Sequence, residues 1–265
     1  MKDEGLNTWA FPLLVVAPHM DDEALACGGV LARLAGRGSI RIVFVGDGLG
    51  SFPRAVRIGP DADRLRRRRR EEAAQAAREL GLPVEALTFL GFEEWVFHRH
   101  FMALGAALNE ILLEMKPATL LCPFRYDRHG DHLAVHAAAM ALTHESAIRT
   151  LEYFVYHRWR MLPGGDIRRW IGEEYRVEVP VGAQAQSKRR AIEAYASQTR
   201  VEPGLREVPV LSAALIDEEC RGSEYFVDTR QAPPDGRLFS GWRWWIPVAH
   251  AIEPPLKRLK DALRI

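Results

Sequence analysis

Short, unbroken runs of apolar residues alternate along this chain with segments of helical pattern, and that alternation limits the fold more than any other feature. "LLVVA" at 13–17, "IRIVFVGDG" at 40–48, "VEALTFLG" at 84–91 and "ATLLCPF" at 118–124 read as strands. Between and after them, "EALACGGVLARLA" at 23–35, "RLRRRRREEAAQAAREL" at 64–80, "HFMALGAALNEILLEMK" at 100–116 and "DHLAVHAAAMALTHES" at 131–146 read as helices. Gly36, Gly81 with Pro83, and Pro117 supply stop signals for the first three. Strands without polar alternation are buried on both faces. The pattern therefore predicts βαβ units and a Rossmann-like three-layer α/β/α fold with a mostly parallel sheet.

Beyond residue 146 the pattern loosens. "LEYFVYH", "YRVEV" and "CRGSEYFVD" read as short strands, and "QSKRRAIEAYASQT" as one helix. The expectation is one domain over 1–265, with a core at about 12–145 and an extension of it at about 146–265. Such a length is near the upper size for a single core.

Charge balances almost completely, with 36 Lys and Arg against 35 Asp and Glu, so nothing draws the whole chain to nucleic acid or anionic lipid. Three cysteines, Cys27, Cys122 and Cys220, make neither a disulfide framework nor a thiolate zinc site. No apolar run approaches the roughly 20 residues that span a bilayer. These features predict a cytoplasmic protein with no integral membrane segment and no nucleic-acid partner, and they leave a homo-oligomer open.

In open parallel sheets the reactive loops lie beyond the carboxyl ends of the strands. "PHMDDE" after the first strand, "GDG" after the second and "PFRYDRHGDH" after the fourth all fall there. His19 and Asp22 are three residues apart and share a face if a helix begins at once. One imidazole nitrogen and one carboxylate oxygen make half of a zinc site. Asp21, pointing elsewhere, is free to act on a water, and Glu23 suits the first turn of a helix. A capped helix start explains the same residues without a metal.

The second segment carries His129, Asp131, His132 and His136. A third ligand from it completes a His2Asp site with an open position, the pattern of catalytic zinc. His132 and His136 lie at i, i+4, but "HLAVH" lacks the glutamate of a zincin, so His136 reads as a packing residue or a support to a ligand. Such a site suits metal-assisted hydrolysis of an amide or ester. Asp21 would take the proton, a protonated His129 would meet the oxyanion or the leaving amine, and Asp131 would tune His129.

"APHMDDEALACGG" together with "HGDH" resembles the LmbE-like, or PIG-L, family of zinc-dependent N-acetylglucosaminyl deacetylases, over most of 12–145. The family pattern is Ala-His-Pro-Asp-Asp-Glu and, later, His-Pro-Asp-His. The resemblance implies one Zn2+ held by His19, Asp22 and His132, Asp21 as general base, and His129 at the oxyanion or leaving group. It implies a small-molecule substrate, an N-acetylated amino sugar or its conjugate. An arginine placed three residues before Glu72 and twelve before Gly81, Arg69, would hold that substrate. Met20 and Gly130 stand where the family has proline, which removes a restraint on φ at both turns. Alternatives are an amidase on a non-sugar or thiol-conjugate scaffold, and a metal- or sugar-binding relative without catalysis.

Other features are less directed. Asp47 in "GDG" is placed to touch a sugar hydroxyl or to form a turn. Neither "GDGLG" nor "ACGG" has dinucleotide spacing. Glu224 and Tyr225 resemble a late family segment without an assignable role. His98 and His100 either line the cleft or cap a helix. The aromatic cluster "FSGWRWWIP" at 239–247 packs a core, lines a substrate wall or forms an oligomer surface.

Overall fold

The structure, a computed structural model, describes residues 9–158, 165–239 and 248. Strands β1 (Leu13–Ala17), β2 (Ile40–Gly46), β3 (Leu87–Phe92), β4 (Thr119–Pro123), β5 (Arg149–Tyr153), β6 (Arg176–Pro180) and β7 (Ser223–Asp228) form one sheet in the order β3-β2-β1-β4-β5-β7-β6. β1 to β5 are parallel, while β7 runs antiparallel to both β5 and β6. Leu13 pairs with Ile40 on one side and Thr119 on the other, so β1 is central. The strand order reverses between β1 and β4, which opens a crevice at their carboxyl ends.

The helices are α1 (Asp22–Leu34), α2 (Arg54–Arg57), α3 (Ala62–Glu79), α4 (Phe101–Met115), α5 (Gly130–Thr143), α6 (Ala185–Ala194), α7 (Ala196–Thr199) and α8 (Ala213–Glu219). Alternate β1 side chains enter opposite cores. Leu13, Val15 and Ala17 pack with α1, α3 and α6, whereas Leu14 and Val16 pack with α4 and α5. Both faces of β1 are therefore buried, which is why its sequence shows no polar alternation. Each buried Val or Leu contributes about 1.5–3 kcal/mol. The three-layer α/β/α reading matches this architecture. Among the described residues, no helix is long and apolar enough to cross a membrane.

Two local departures from the sequence reading matter. The single helix expected at 186–199 breaks at Tyr195 (φ −76°, ψ 63°) into α6 and α7. The break turns the Tyr195 hydroxyl onto Glu23, 2.5 Å away. The helix α8 was not expected. Of the aromatic cluster, only Phe239 is described, buried beside Tyr126 and Trp170. Residues 240–247 lie outside the described residues.

The extension is bolted to α1 by a buried ion pair. Lys188, 0% exposed, donates to Glu224 at 2.7 Å. The Glu224 carboxylate also accepts the amides of Gly29 and Val30, each at 2.7 Å. A Cβ on Gly28 would come within 2.9 Å of Lys188 Cγ, and one on Gly29 within 3.2 Å of the Glu224 oxygens. Two adjacent glycines inside a helix cost about 1 kcal/mol each, and here they admit the pair. Removing one member of such a pair leaves the other charge buried. Glu224→Ala is expected to lower the unfolding free energy by about 3–5 kcal/mol, read from urea denaturation, with a double Lys188→Met/Glu224→Leu exchange recovering part of the loss.

Candidate active site

β1 ends at Ala17, and the chain turns through Pro18, His19 and Met20 before α1 begins at Asp22. Asp21 caps that helix with φ 145° and ψ −22°, a conformation that costs a non-glycine residue about 1–3 kcal/mol. Several bonds hold it there. The Asp21 carbonyl accepts the amides of Ala24 and Leu25 at 3.1 and 3.0 Å, and its own amide donates to Glu23 Oε2 at 3.2 Å. The Met20 carbonyl accepts Arg69 Nη2. Met20 itself is 1% exposed, so packing and the Arg69 bond restrain the turn where proline is absent. At the other turn, Gly130 is the first residue of α5, and a Cβ there would meet nothing within 4 Å.

The β4–α5 loop brings the second segment alongside. His132 Nε2 lies 3.2 Å from His19 Nδ1 and 3.2 Å from Asp22 Oδ2, and His19 Nδ1 lies 3.4 Å from the same carboxylate oxygen. The outer nitrogens are tied as well. His132 Nδ1 is 3.2 Å from Asp127 Oδ2, and His19 Nε2 is 3.2 Å from Asp131 Oδ2. Carboxylates on those nitrogens favour placing the ring protons there. The inner atoms then present three lone pairs to one point, an arrangement that needs a cation or a proton between them. His19, His129 and His132 also offer ring nitrogens within 4.8 Å of one another, a group able to hold a metal ion.

The electrostatics express the same demand. Burial alone would raise Asp22, yet His132 and His19 hold its pKa far below the usual carboxylate range. Burial lowers His132, but Asp127 and Asp22 outweigh it and push its pKa up to about 9. Asp21 behaves oppositely to its neighbour. Burial raises it, Arg69 at 3.6 Å lowers it and Asp22 raises it again, leaving a carboxyl pushed up to about 7.

Three sequence expectations require correction. The Asp131 carboxylate is not hydrogen-bonded to His129, although its charge raises the pKa of that ring. It accepts from His19 and from the Trp95 amide, and only the Asp131 backbone amide donates to His129 Nδ1 at 3.2 Å. Nor is His129 favoured as a cation, because burial, then the neighbouring His19 and His132, push its pKa down to about 3. With Nδ1 accepting, its remaining proton sits on Nε2. Of the two readings of Asp47 the turn holds and the sugar contact does not: its carboxylate accepts the Leu49 amide at 3.2 Å and Arg66 at 3.0 Å, and it lines a separate cavity. His136, read as a non-ligand, pairs with Glu152 at 3.0 Å.

Arg69 is 3% exposed and borders the cavity that holds His19, Asp21 and His129. Nη1 binds Glu72 at 3.0 Å and Ser197 at 3.2 Å, the guanidinium lies over the Tyr195 ring, and buried Nε has no hydrogen-bond partner among the described residues. Its neighbours Arg66 and Arg68 pair with Asp47 and Glu202, so the arginine run is partly consumed in ion pairs. Glu23 lies behind the turn, joined to Asp21 and Tyr195.

Glu94, Trp95, Asp127, Tyr156 and Gln198 were not singled out from the sequence, although all but Asp127 line the cavity. Glu94 accepts the amides of Gly48 and Gly50 at 2.8 and 2.6 Å. Side chains at Gly46 or Gly50 would collide with it at 2.4 or 2.2 Å. "GDGLG" is therefore a cradle for Glu94, a signal that glycine spacing alone contains but does not decode. His98 and His100 form an exposed turn and do not line this cavity.

The match to the family model described as PIG-L, GlcNAc-PI de-N-acetylase, spans residues 14–143 and includes both halves of this site. Residues 14–143 belong to the PIG-L family. Solved structures share the fold. A conserved protein from Thermus thermophilus is 24% identical with a TM-score of 0.59, over 84% of this chain and 97% of that one. A deacetylase triple mutant of the teicoplanin biosynthetic pathway is 21% identical with a TM-score of 0.61, over 82% and 97%. A 4-carboxy-2-hydroxymuconate hydratase from a Pseudomonas is 17% identical with a TM-score of 0.51, over 70% and 79%. The comparison with curated proteins gives no match.

Within this PIG-L site, burial raises the Glu23 carboxyl, and although the Tyr195 hydroxyl lowers it, its pKa is pushed up to about 8 from an ordinary value of 4.5. A carboxyl raised in the folded state stabilises the protein most at pH below its unfolded value, and the benefit disappears as pH rises through the folded value. Metal-stripped protein is therefore expected to lose a few kcal/mol of stability between about pH 5 and pH 9, with Asp21 adding in the same direction. Glu23→Gln should flatten that slope in urea titrations across pH. An unchanged slope would remove Glu23 as its source.

Proposed function

We propose that this chain is a zinc-dependent deacetylase that hydrolyses the acetamide of an N-acetylated amino sugar or of its conjugate. One observation carries the reading, namely the triangle of His19 Nδ1, Asp22 Oδ2 and His132 Nε2 with edges of 3.2, 3.2 and 3.4 Å. Tetrahedral zinc with ligands about 2.0–2.1 Å away spaces them about 3.3–3.4 Å apart. Two imidazoles and a carboxylate are also a donor set that zinc accepts. When bound, the metal supplies Lewis-acid polarisation of the amide carbonyl and makes water acidic enough to attack near neutral pH.

The chain's own groups do the rest. Asp21, with its pKa near neutrality, takes a proton from the attacking water and can return one to the departing nitrogen as the C–N bond breaks. Neutral His129 offers Nε2–H to the oxygen that becomes negative in the tetrahedral state. Asp127 and Asp131 orient the His132 and His19 rings. The backbone bonds around Asp21 hold its carboxylate in place. Arg69, anchored by Glu72, places a positive charge 3.6 Å from that carboxylate and keeps its pKa from rising further. The products are acetate and a free amine.

The experiment combines metal analysis of the purified protein with an acetate-release assay on N-acetylglucosamine and its glycosides. Asp21→Asn is expected to retain metal and to lower kcat by about a hundred- to ten-thousand-fold. Wild-type activity should rise with pH as Asp21 loses its proton, with a midpoint at or below about 7 because a neighbouring cation lowers that pKa. Asp127→Asn should weaken metal binding by about 10–100-fold, measured by chelator competition. A protein that binds no divalent metal and releases no acetate would end this reading.

A further inference from the structure

Three non-glycine residues among those described have positive φ. Lys116 does so as the left-handed cap of α4, an ordinary use of that conformation. The other two, Asp21 and Trp95, line the same cavity. Trp95 has φ 74°, which is unusual for a bulky aromatic residue and is sustained only where surrounding bonds enforce it. They do so here at both ends of the residue. Its amide donates to Asp131 Oδ2 at 2.6 Å, the same oxygen that meets His19, and its indole Nε1 donates to the Gly50 carbonyl at 2.9 Å.

Burial does not offset this strain, because Trp95 remains 57% exposed. The fold thus holds a large apolar ring out toward water at the mouth of the cavity, fixed on its polar edge. The ring lies 4.6 Å from the His129 ring, and Tyr156, 46% exposed, stacks 5.7 Å from His129. The cavity measures about 240 Å³, below the roughly 300–1,000 Å³ of sites that enclose drug-sized ligands. It has room for one small ring, with anything attached to that ring remaining outside. Its other walls combine the polar groups of Ser51, Glu94 and Gln198 with the apolar Val210. A fixed aromatic ring among hydrogen-bonding groups suits a ligand with an apolar face and a hydroxylated edge, which is the chemistry of a pyranose.

We infer that Trp95 is a specificity-determining residue whose exposed ring stacks against the pyranose of a terminal N-acetylated sugar, directing its acetamide toward Asp21 and His129. The inference rests on the deacetylase reading and adds to it the residue that selects a sugar ring.

The test compares Trp95→Phe with Trp95→Leu in metal-loaded protein. Both lose the bond to Gly50, but only Phe keeps an aromatic face. With the methyl glycoside of N-acetylglucosamine as substrate, Trp95→Leu is expected to raise KM about tenfold while kcat stays within about threefold, and Trp95→Phe to keep KM within about threefold of wild type. Equal KM values for the two variants, or a fall in kcat with KM unmoved, would overturn the inference and make Trp95 a support for Asp131. Metal content and circular dichroism establish that each variant is folded. If neither folds, wild-type protein decides: selective saturation of its aromatic protons should transfer to the ring protons of the bound methyl glycoside, and binding without transfer overturns the inference. Wild type that binds the glycoside through Trp95 but releases no acetate would defeat the deacetylase reading alone.

Discussion

The Asp22 carboxylate, buried between the His19 and His132 rings, is the constraint on which the arrangement around it depends. A charge taken out of water is tolerated only when it is paired and hydrogen-bonded. Here the carboxylates of Asp21, Glu23, Glu94, Asp127 and Asp131 also crowd the site, against Arg69 and the histidines. The fold meets that burden in shells. Asp127 and Asp131 take the outer imidazole nitrogens, Glu94 accepts backbone amides, Arg69 faces Asp21, and Glu23 is lifted toward its protonated form by burial. At the centre, Asp22 and the two inner imidazole nitrogens form a place that a further positive charge would relieve. The cavity-facing carboxyl and its buried neighbour are driven apart in pKa because burial and the Asp22 charge raise Asp21 against the pull of Arg69, while Asp22 is clasped by two imidazoles.

The parallel sheet was legible because its burial is written into consecutive residues. β1 has no polar alternation since both its faces are covered, and the polar residues that follow it mark its carboxyl end. Chemistry-bearing residues packed into a short motif were legible for a related reason, as with His19, Asp21 and Asp22. Groups that act across long sequence distances were not. Asp127 is an ordinary loop aspartate until the β4–α5 turn sets it against His132, and Asp131 looked like a partner of its neighbour His129 until the fold sent its carboxylate to His19. Asp47 looked exposed to the cleft because the sequence does not show that Arg66, one turn inside α3, reaches back to claim it. The helix break at Tyr195 runs against local propensity, since "AIEAYASQT" contains no proline or glycine. The chain is bent there by a tertiary bond to Glu23.

The family match ends at residue 143, yet the site does not. Tyr156 stacks on His129, Tyr195 binds Glu23, Ser197 donates to Glu72 and touches Arg69, and Gln198 lines the cavity. All of these come from the extension. It also fixes α1 from behind through Glu224, whose carboxylate binds amides in the middle of the helix while Glu23 holds its first turn. Helix α1 is thus gripped at its first turn by Tyr195, acting through Glu23, and in its middle by Glu224. Gly28 and Gly29 leave room beside α1 for the Lys188–Glu224 pair, whose carboxylate accepts the amides of Gly29 and Val30. The two glycines that look like a helix weakness are what let the extension pack against α1 behind the candidate site.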